Sequence, residues 1–135
     1  MYKCEYFAIH ELVPPHIYKQ WGERAWQFLD VRALRTLDYL RRKYGKITVN
    51  NYIWGGEREW SGLRTPDSPY YSETSQHTYG RAFDCLFHTA HIDKVRQDIL
   101  SKPDEFPHIN CIEMNVSWLH FDVRNSERIK MVYPA

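Results

Sequence analysis

No two cysteines in this sequence stand close enough to form a CxxC clip. Cys4, Cys85 and Cys111 are far apart and odd in number, which argues against a disulfide framework and favours a reducing compartment. Cys85 and Cys111 fall in apolar, strand-like runs and read as buried, inert thiols. Charge of one sign is missing as well. A net charge of +1 leaves no electrostatic footprint for nucleic acid or an anionic membrane surface, so neither is expected as a partner. No apolar run reaches the length of a membrane span, and the opening MYKCEYFAIHEL lacks the charged-then-apolar pattern of an export signal. Synthesis in the cytoplasm without a signal peptide is the expectation. Repeats, linkers and low-complexity tracts are also missing, which leaves a single unit over residues 1–135.

Aromatic residues are what the chain does have, with 5 Trp, 10 Tyr and 6 Phe in a hydrophobic share of 43%. A chain of this length buries about two-thirds of its unfolded surface around one core. Tyr and Trp carry polar edges, so their number suggests a groove as well as a core. Trp26, Leu29, Ala33, Leu37, Leu40 and Tyr44 recur in steps of three and four and predict one long amphipathic helix from about Glu23 to Tyr44, closed by Gly45. Arg32, Arg35, Arg41 and Arg42 sit largely off that stripe and read as a solvated face. Pro14 and Pro15 read as a rigid lead into this helix.

KITVNNYI, Lys46 to Ile53, predicts a strand from its β-branched and aromatic content. Gly55 to Thr74 is rich in Gly, Ser, Pro, Glu and Tyr and reads as a long loop, a feature that in a small domain usually carries function. AFDCLF reads as a second strand. Ile92, Val95, Ile99 and Leu100 mark a short helix that must stop before Pro103. HINCIEM and WLHFDV read as two tightly joined strands, with a last strand at Arg128 to Tyr133. The order predicts a small α+β domain with a mostly antiparallel sheet.

The chemistry concentrates in SQHTYGRAFD, Ser75 to Asp84. Two ligands of one metal bring their donor atoms to about 2 Å from a common point. Seven residues of helix would part the backbones of His77 and Asp84 by about 10 Å, and seven of strand by more than about 20 Å. The chain therefore has to bend between them, and Gly80 is where a bend or a close backbone approach costs least. SWLHFDV offers a third ligand. In a strand, Trp118, His120 and Asp122 share one face, while Leu119, Phe121 and Val123 share the other. A polar face opposite an apolar row describes a sheet with one side lining a cleft. The remaining histidines, His10, His16, His88, His91 and His108, stand near element ends without a spacing that requires a metal. His91 with Asp93 reads as a helix N-terminal turn.

Together, SxHxxGxAxD at Ser75, His77, Gly80, Ala82 and Asp84 and WxHxD at Trp118, His120 and Asp122 resemble the zinc D-Ala-D-Ala carboxypeptidase family. That family includes cell-wall carboxypeptidases, phage endolysins and hedgehog-type domains. SGLR, Ser61 to Arg64, is similar to the family's Ser-Gly-x-Arg segment, and the likeness spans roughly Phe7 to Arg124. The resemblance implies the hedgehog-type fold with a zinc cleft, and zinc held by His77, Asp84 and His120 with water at an open fourth position. It implies that Arg64 stabilises a carbonyl oxygen or grips a substrate carboxylate. The alternative for Arg64 is a loop arginine paired with Glu57 or Glu59. Ser75 would add a hydrogen bond to the same end of the substrate.

The general base departs from the family pattern. The family places a glutamate three residues before the last zinc histidine or a histidine two before it, where this chain has Ser117 and Trp118. Glu113 can return to the site from the neighbouring strand if Asn115 to Ser117 forms a turn, and it is preferred as base over Asp122. Asp122 could instead orient His120 from behind.

The expected function is therefore a zinc metallopeptidase that cuts D-amino-acid-containing peptide bonds of peptidoglycan, as a carboxypeptidase or an endolysin-type endopeptidase. Its partner would be a peptidoglycan peptide, met at the cell wall after release in a phage setting. The alternative is a non-catalytic zinc-binding structural or interaction module of a phage particle with the same fold.

Overall fold

The computed structural model describes residues 1–134. An apolar stripe on a helix and alternating apolar residues on strands have one economical solution, which is to pack the helix against one face of the sheet. The chain does this. Its helices are α1 (Pro15–Trp21), α2 (Val31–Tyr44) and α3 (Ile92–Ser101). Its strands are β1 (Ile47–Thr48), β2 (Ala82–Phe87), β3 (Cys111–Glu113), β4 (Leu119–Asp122) and β5 (Lys130–Val132). The strands lie in the order β1-β2-β4-β3-β5. Every neighbouring pair is antiparallel except β3 with β5, so the chain is a small α+β domain with a mostly antiparallel sheet.

The alternation in β2 and β4 divides the molecule. Phe83 pairs with Phe121 and Cys85 with Leu119, and all four are fully buried against Leu34, Leu37, Val95 and Ile99. Burial pushes the Cys85 thiol up, as expected of an inert core cysteine. Opposite that core, Ala82 pairs with Asp122 and Asp84 with His120, and this second face carries the polar cluster.

The long helix expected over Glu23 to Tyr44 is two elements. Gly22–Phe28 is a 3-10 helix, Leu29 is extended, and α2 begins only after Asp30. The Asp30 carboxylate accepts from the Arg32 N–H at 2.8 Å and caps the new helix. The apolar stripe stays buried through the break, with Trp26 3% and Leu29 7% exposed, because a 3-10 turn also returns a side chain to the same face every three residues. α2 ends at Gly45, as expected.

Other expectations also shorten. Of Lys46 to Ile53 only Ile47–Thr48 pairs as a strand. The Asn50 and Asn51 side chains take N–H groups of Ser61 and Arg58 instead, and Tyr52–Trp54 winds into a 3-10 turn. The last strand is Lys130–Val132 within the expected Arg128 to Tyr133. On α2, Arg32, Arg35 and Arg42 are exposed as a solvated face should be, whereas Asp38 is buried. Asp38 accepts from Tyr2 Oη at 2.7 Å and from the Glu5 N–H at 2.9 Å, which straps the N-terminal segment across the helix. Among the described residues, no helix is long and apolar enough to cross a membrane.

Asp30→Ala should lower stability by about 1 kcal/mol, the usual worth of a helix N-cap. Chemical denaturation of the variant beside the parent protein measures it, and an unchanged midpoint would contradict the capping role.

Candidate metal centre

Each member of the polar cluster is placed by a different local device. In the segment 75–84, the Ser75 hydroxyl accepts from the His77 N–H at 3.2 Å and starts a 3-10 turn over Gln76–Tyr79. Gly80 ends that turn in the left-handed region, φ +68°. A Cβ there would also lie 2.1 Å from the Phe28 carbonyl oxygen. This is the bend anticipated between His77 and Asp84, and it is packed against the break before α2. The Asp30 N–H donates to the Gly80 carbonyl at 2.9 Å.

The SGLR segment forms the floor. The Ser61 carbonyl accepts from the Asp84 N–H at 2.8 Å, and the Arg64 N–H donates to the His77 carbonyl at 3.1 Å. Gly62 passes so close to Leu12 that a Cβ would sit 2.2 Å from the Leu12 carbonyl oxygen, and its own carbonyl accepts from His77 Nδ1 at 2.9 Å.

His120 comes from β4, directly opposite Asp84 on β2. The β3–β4 connection is held by α3, where buried Arg96 donates to the carbonyls of Glu113 (3.2 Å), Val116 (2.6 Å) and Trp118 (2.8 Å). Asn115, with φ +61°, makes the reversal. The β3–β4 register, Cys111 with Asp122 and Ile112 with Phe121, runs on toward Glu113 and His120.

His77, Asp84 and His120 thus converge, each with one ligand atom within 4.8 Å of the others. Asp84 Oδ1 lies 3.2 Å from His77 Nε2 and 2.9 Å from His120 Nδ1. The outward nitrogens identify which atoms face the cluster. A carbonyl can only accept, so His77 Nδ1 carries the hydrogen that meets Gly62 and Nε2 is left with its lone pair. His120 Nε2 is committed to Asp122 Oδ2 at 2.7 Å, which leaves Nδ1 to face the cluster. Burial draws the His77 pKa down and keeps the ring neutral. Its lone pair therefore faces a carboxylate oxygen, an acceptor against an acceptor, which a cation between them would reconcile. The structure thus forms a candidate metal-binding triad from His77, Asp84 and His120.

Charge follows the same geometry. Burial pushes Asp84 up, but the hydrogen bond and charge of His120 more than reverse that and hold it well below the usual carboxylate range. Burial pulls His120 down, yet its hydrogen bonds to Asp122 and Asp84 prevail and hold it up to about 9.

A cleft of about 670 Å³ opens over the triad, lined among others by Trp60, Arg64, Tyr70, Ser75, Glu113 and Trp118. Arg64 pairs with neither Glu57 nor Glu59. It donates to Asp84 Oδ2 at 3.0 Å and to the Trp60 carbonyl at 2.7 Å, with Tyr70 against its guanidinium at 5.6 Å. Glu113 stands on the cleft wall, and among the described residues its carboxylate has no hydrogen-bond or ion-pair partner. Asp122 is fully buried and bonded to His120 and Arg124. It stands behind His120, bonded to the ring nitrogen that points away from the cluster.

His91 caps α3 by accepting from the Asp93 N–H, as its place in the sequence suggested. Arg96, Arg124 and the contact made by Gly62 were not anticipated. The HxDxR alternation at positions 120, 122 and 124 carried a signal for Arg124, since all three share one strand face. Arg96 carried none, because a helical arginine ordinarily reads as solvated.

The triad makes two predictions. His77→Ala should abolish stoichiometric binding of a divalent metal, measured by metal analysis after dialysis. Retention of full metal content would overturn the assignment. Gly80→Ala should destabilise the fold by roughly 2 kcal/mol or more, since a left-handed non-glycine residue alone costs about 1–3 kcal/mol. Denaturation and chelator competition should register loss of stability and of metal affinity together.

Comparison with family models, curated proteins and solved structures gives no match.

Proposed function

We propose that this chain is a zinc-dependent peptidase that hydrolyses D-amino-acid-containing peptide bonds of bacterial peptidoglycan. The observation that carries the reading is the open triad itself, two imidazole nitrogens and one carboxylate oxygen converging at the base of a cleft. Two nitrogens with one oxygen suit zinc, and three protein ligands are the number found in hydrolytic zinc sites, whereas structural sites close with four. Zinc held by His77, Asp84 and His120 would supply an acidified water and a Lewis acid for the scissile carbonyl.

The chain's own residues supply the remaining parts. Glu113, uncommitted on the cleft wall, takes the proton of the attacking water on its carboxylate and returns it to the leaving amine. Arg64 commits two of a guanidinium's five N–H donors to Asp84 and Trp60. The rest serve to hold a substrate carbonyl or terminal carboxylate. Ser75 spends its oxygen on the His77 N–H, and its hydroxyl hydrogen is left for the same end of the substrate. Trp60, Tyr70 and Trp118 give the cleft aromatic walls along which a peptide can lie. The resemblance of SxHxxGxAxD and WxHxD to the D-Ala-D-Ala carboxypeptidase family supports the substrate class. The reading covers a carboxypeptidase or an endolysin-type endopeptidase.

Ser117 and Trp118, at the positions where the family carries its base, favour a second reading. In it the chain is a non-catalytic zinc-binding module of a phage particle. Digestion of isolated sacculi and muropeptides, followed by mass spectrometry, separates the two. New termini at a D-amino-acid bond support the peptidase, and intact peptides support the module. Glu113→Gln should lower the rate by about 100-fold or more, the usual worth of a general base, while metal content stays at the parent level. Full activity in that variant would remove Glu113 from the mechanism.

A further inference from the structure

Behind His120 lies a contact that neither the motif nor the cleft explains. Asp122 is fully buried, and both of its oxygens are occupied from one side by a single residue. Arg124 donates from Nε to Oδ1 at 2.8 Å and from Nη2 to Oδ2 at 2.7 Å, and its backbone N–H reaches Oδ1 at 3.2 Å. Asn110 Nδ2 in turn donates to the Arg124 carbonyl at 2.7 Å. Oδ2 then meets His120 Nε2 at 2.7 Å.

We propose that Arg124 is a positioning residue of the metal centre, fixing the Asp122 carboxylate so that His120 keeps its hydrogen on Nε2 and turns Nδ1 toward the metal.

The physical argument rests on degrees of freedom. A carboxylate held at one oxygen can still rotate about its Cβ–Cγ bond. Two parallel N–H···O bonds from a planar guanidinium fix its plane as well as its position. With the plane fixed, Oδ2 lies where Nε2–H must point, and the imidazole is fixed in turn. The far side of that ring is Nδ1, which shares its space with Asp84 Oδ1 and His77 Nε2. Arg124 lies at the cleft wall with its side chain 26% exposed, so it orients the centre from the solvent side and not from the core. A lysine there would keep the charge and lose the two-point contact.

This inference rests on the metal-binding part of the proposed function and not on any substrate, so it is tested with zinc ions alone. Zinc affinity is measured by chelator competition, and histidine ring tautomers by nitrogen-15 NMR of the zinc-loaded protein. The parent protein should show His120 protonated on Nε2, with that proton protected from exchange. Arg124→Gln should weaken zinc binding by about 10–100-fold, the range seen when a supporting partner of a metal ligand is lost, and should expose or broaden the Nε2–H signal. Arg124→Lys should recover less than half of the lost affinity on a logarithmic scale, and it keeps the aliphatic stem should the glutamine variant fail to fold.

Parent affinity and an unchanged His120 signal in a folded variant would overturn the proposal. So would a parent protein whose His120 carries its hydrogen on Nδ1, a result that needs no variant. A parent protein that binds no zinc would instead defeat the metal reading itself, so the two failures are distinguishable.

Discussion

The structure depends on one buried carboxylate. Asp84 stands on β2 opposite His120, takes contacts from two imidazoles on Oδ1 and offers Oδ2 to Arg64. Removing such a charge from water is costly unless its lone pairs are all answered. Here the SGLR floor brings Arg64 and the β2–β4 register brings His120 as donors, while the 3-10 turn brings His77 with a lone pair that a cation would join to the carboxylate. The surrounding architecture is in effect the set of backbone paths that bring His77, His120 and Arg64 to the same carboxylate. The apolar face of the same two strands, Phe83 with Phe121 and Cys85 with Leu119, fixes the register from behind. Slipping it by one residue would send Asp84 and His120 into the core.

Much of this was legible in the sequence, because strand alternation and the cost of bending a chain are both local. The pairing of His77 with Asp84 through a bend at Gly80, and the shared face of Trp118, His120 and Asp122, required no knowledge of distant contacts. The long helix was misread for a physical reason. An apolar residue at every third or fourth position fits a 3-10 turn, an extended Leu29 and an α-helix alike, and the signal that separates them is the cap at Asp30, a single side chain. The strand over Lys46 to Ile53 shortened because the side-chain carbonyls of Asn50 and Asn51 accept from the following loop, and β-branched content does not record such bonds. Arg64 left Glu57 and Glu59 for Asp84, twenty positions away in sequence.

Arginine is used in three ways around one site. Arg96 holds carbonyls of a chain reversal, Arg124 clamps a buried carboxylate, and Arg64 faces the cleft. All three exploit the fixed fork of the guanidinium, which binds two acceptors at a defined angle where an ammonium binds any one. The near-neutral net charge therefore conceals a polarised site, in which three guanidinium groups fix the geometry around one carboxylate cluster.

The docking of Gly80 against the break before α2 has a consequence for how the molecule opens. The carbonyl of Gly80 and the N–H of Asp30 are joined, so the first turn of α2 and the ligand-bearing turn cannot loosen independently. They belong to one cooperative unit of local unfolding. An ion that favours the closed triad would therefore slow amide exchange well outside the cleft, at the amino end of a helix that contributes no ligand.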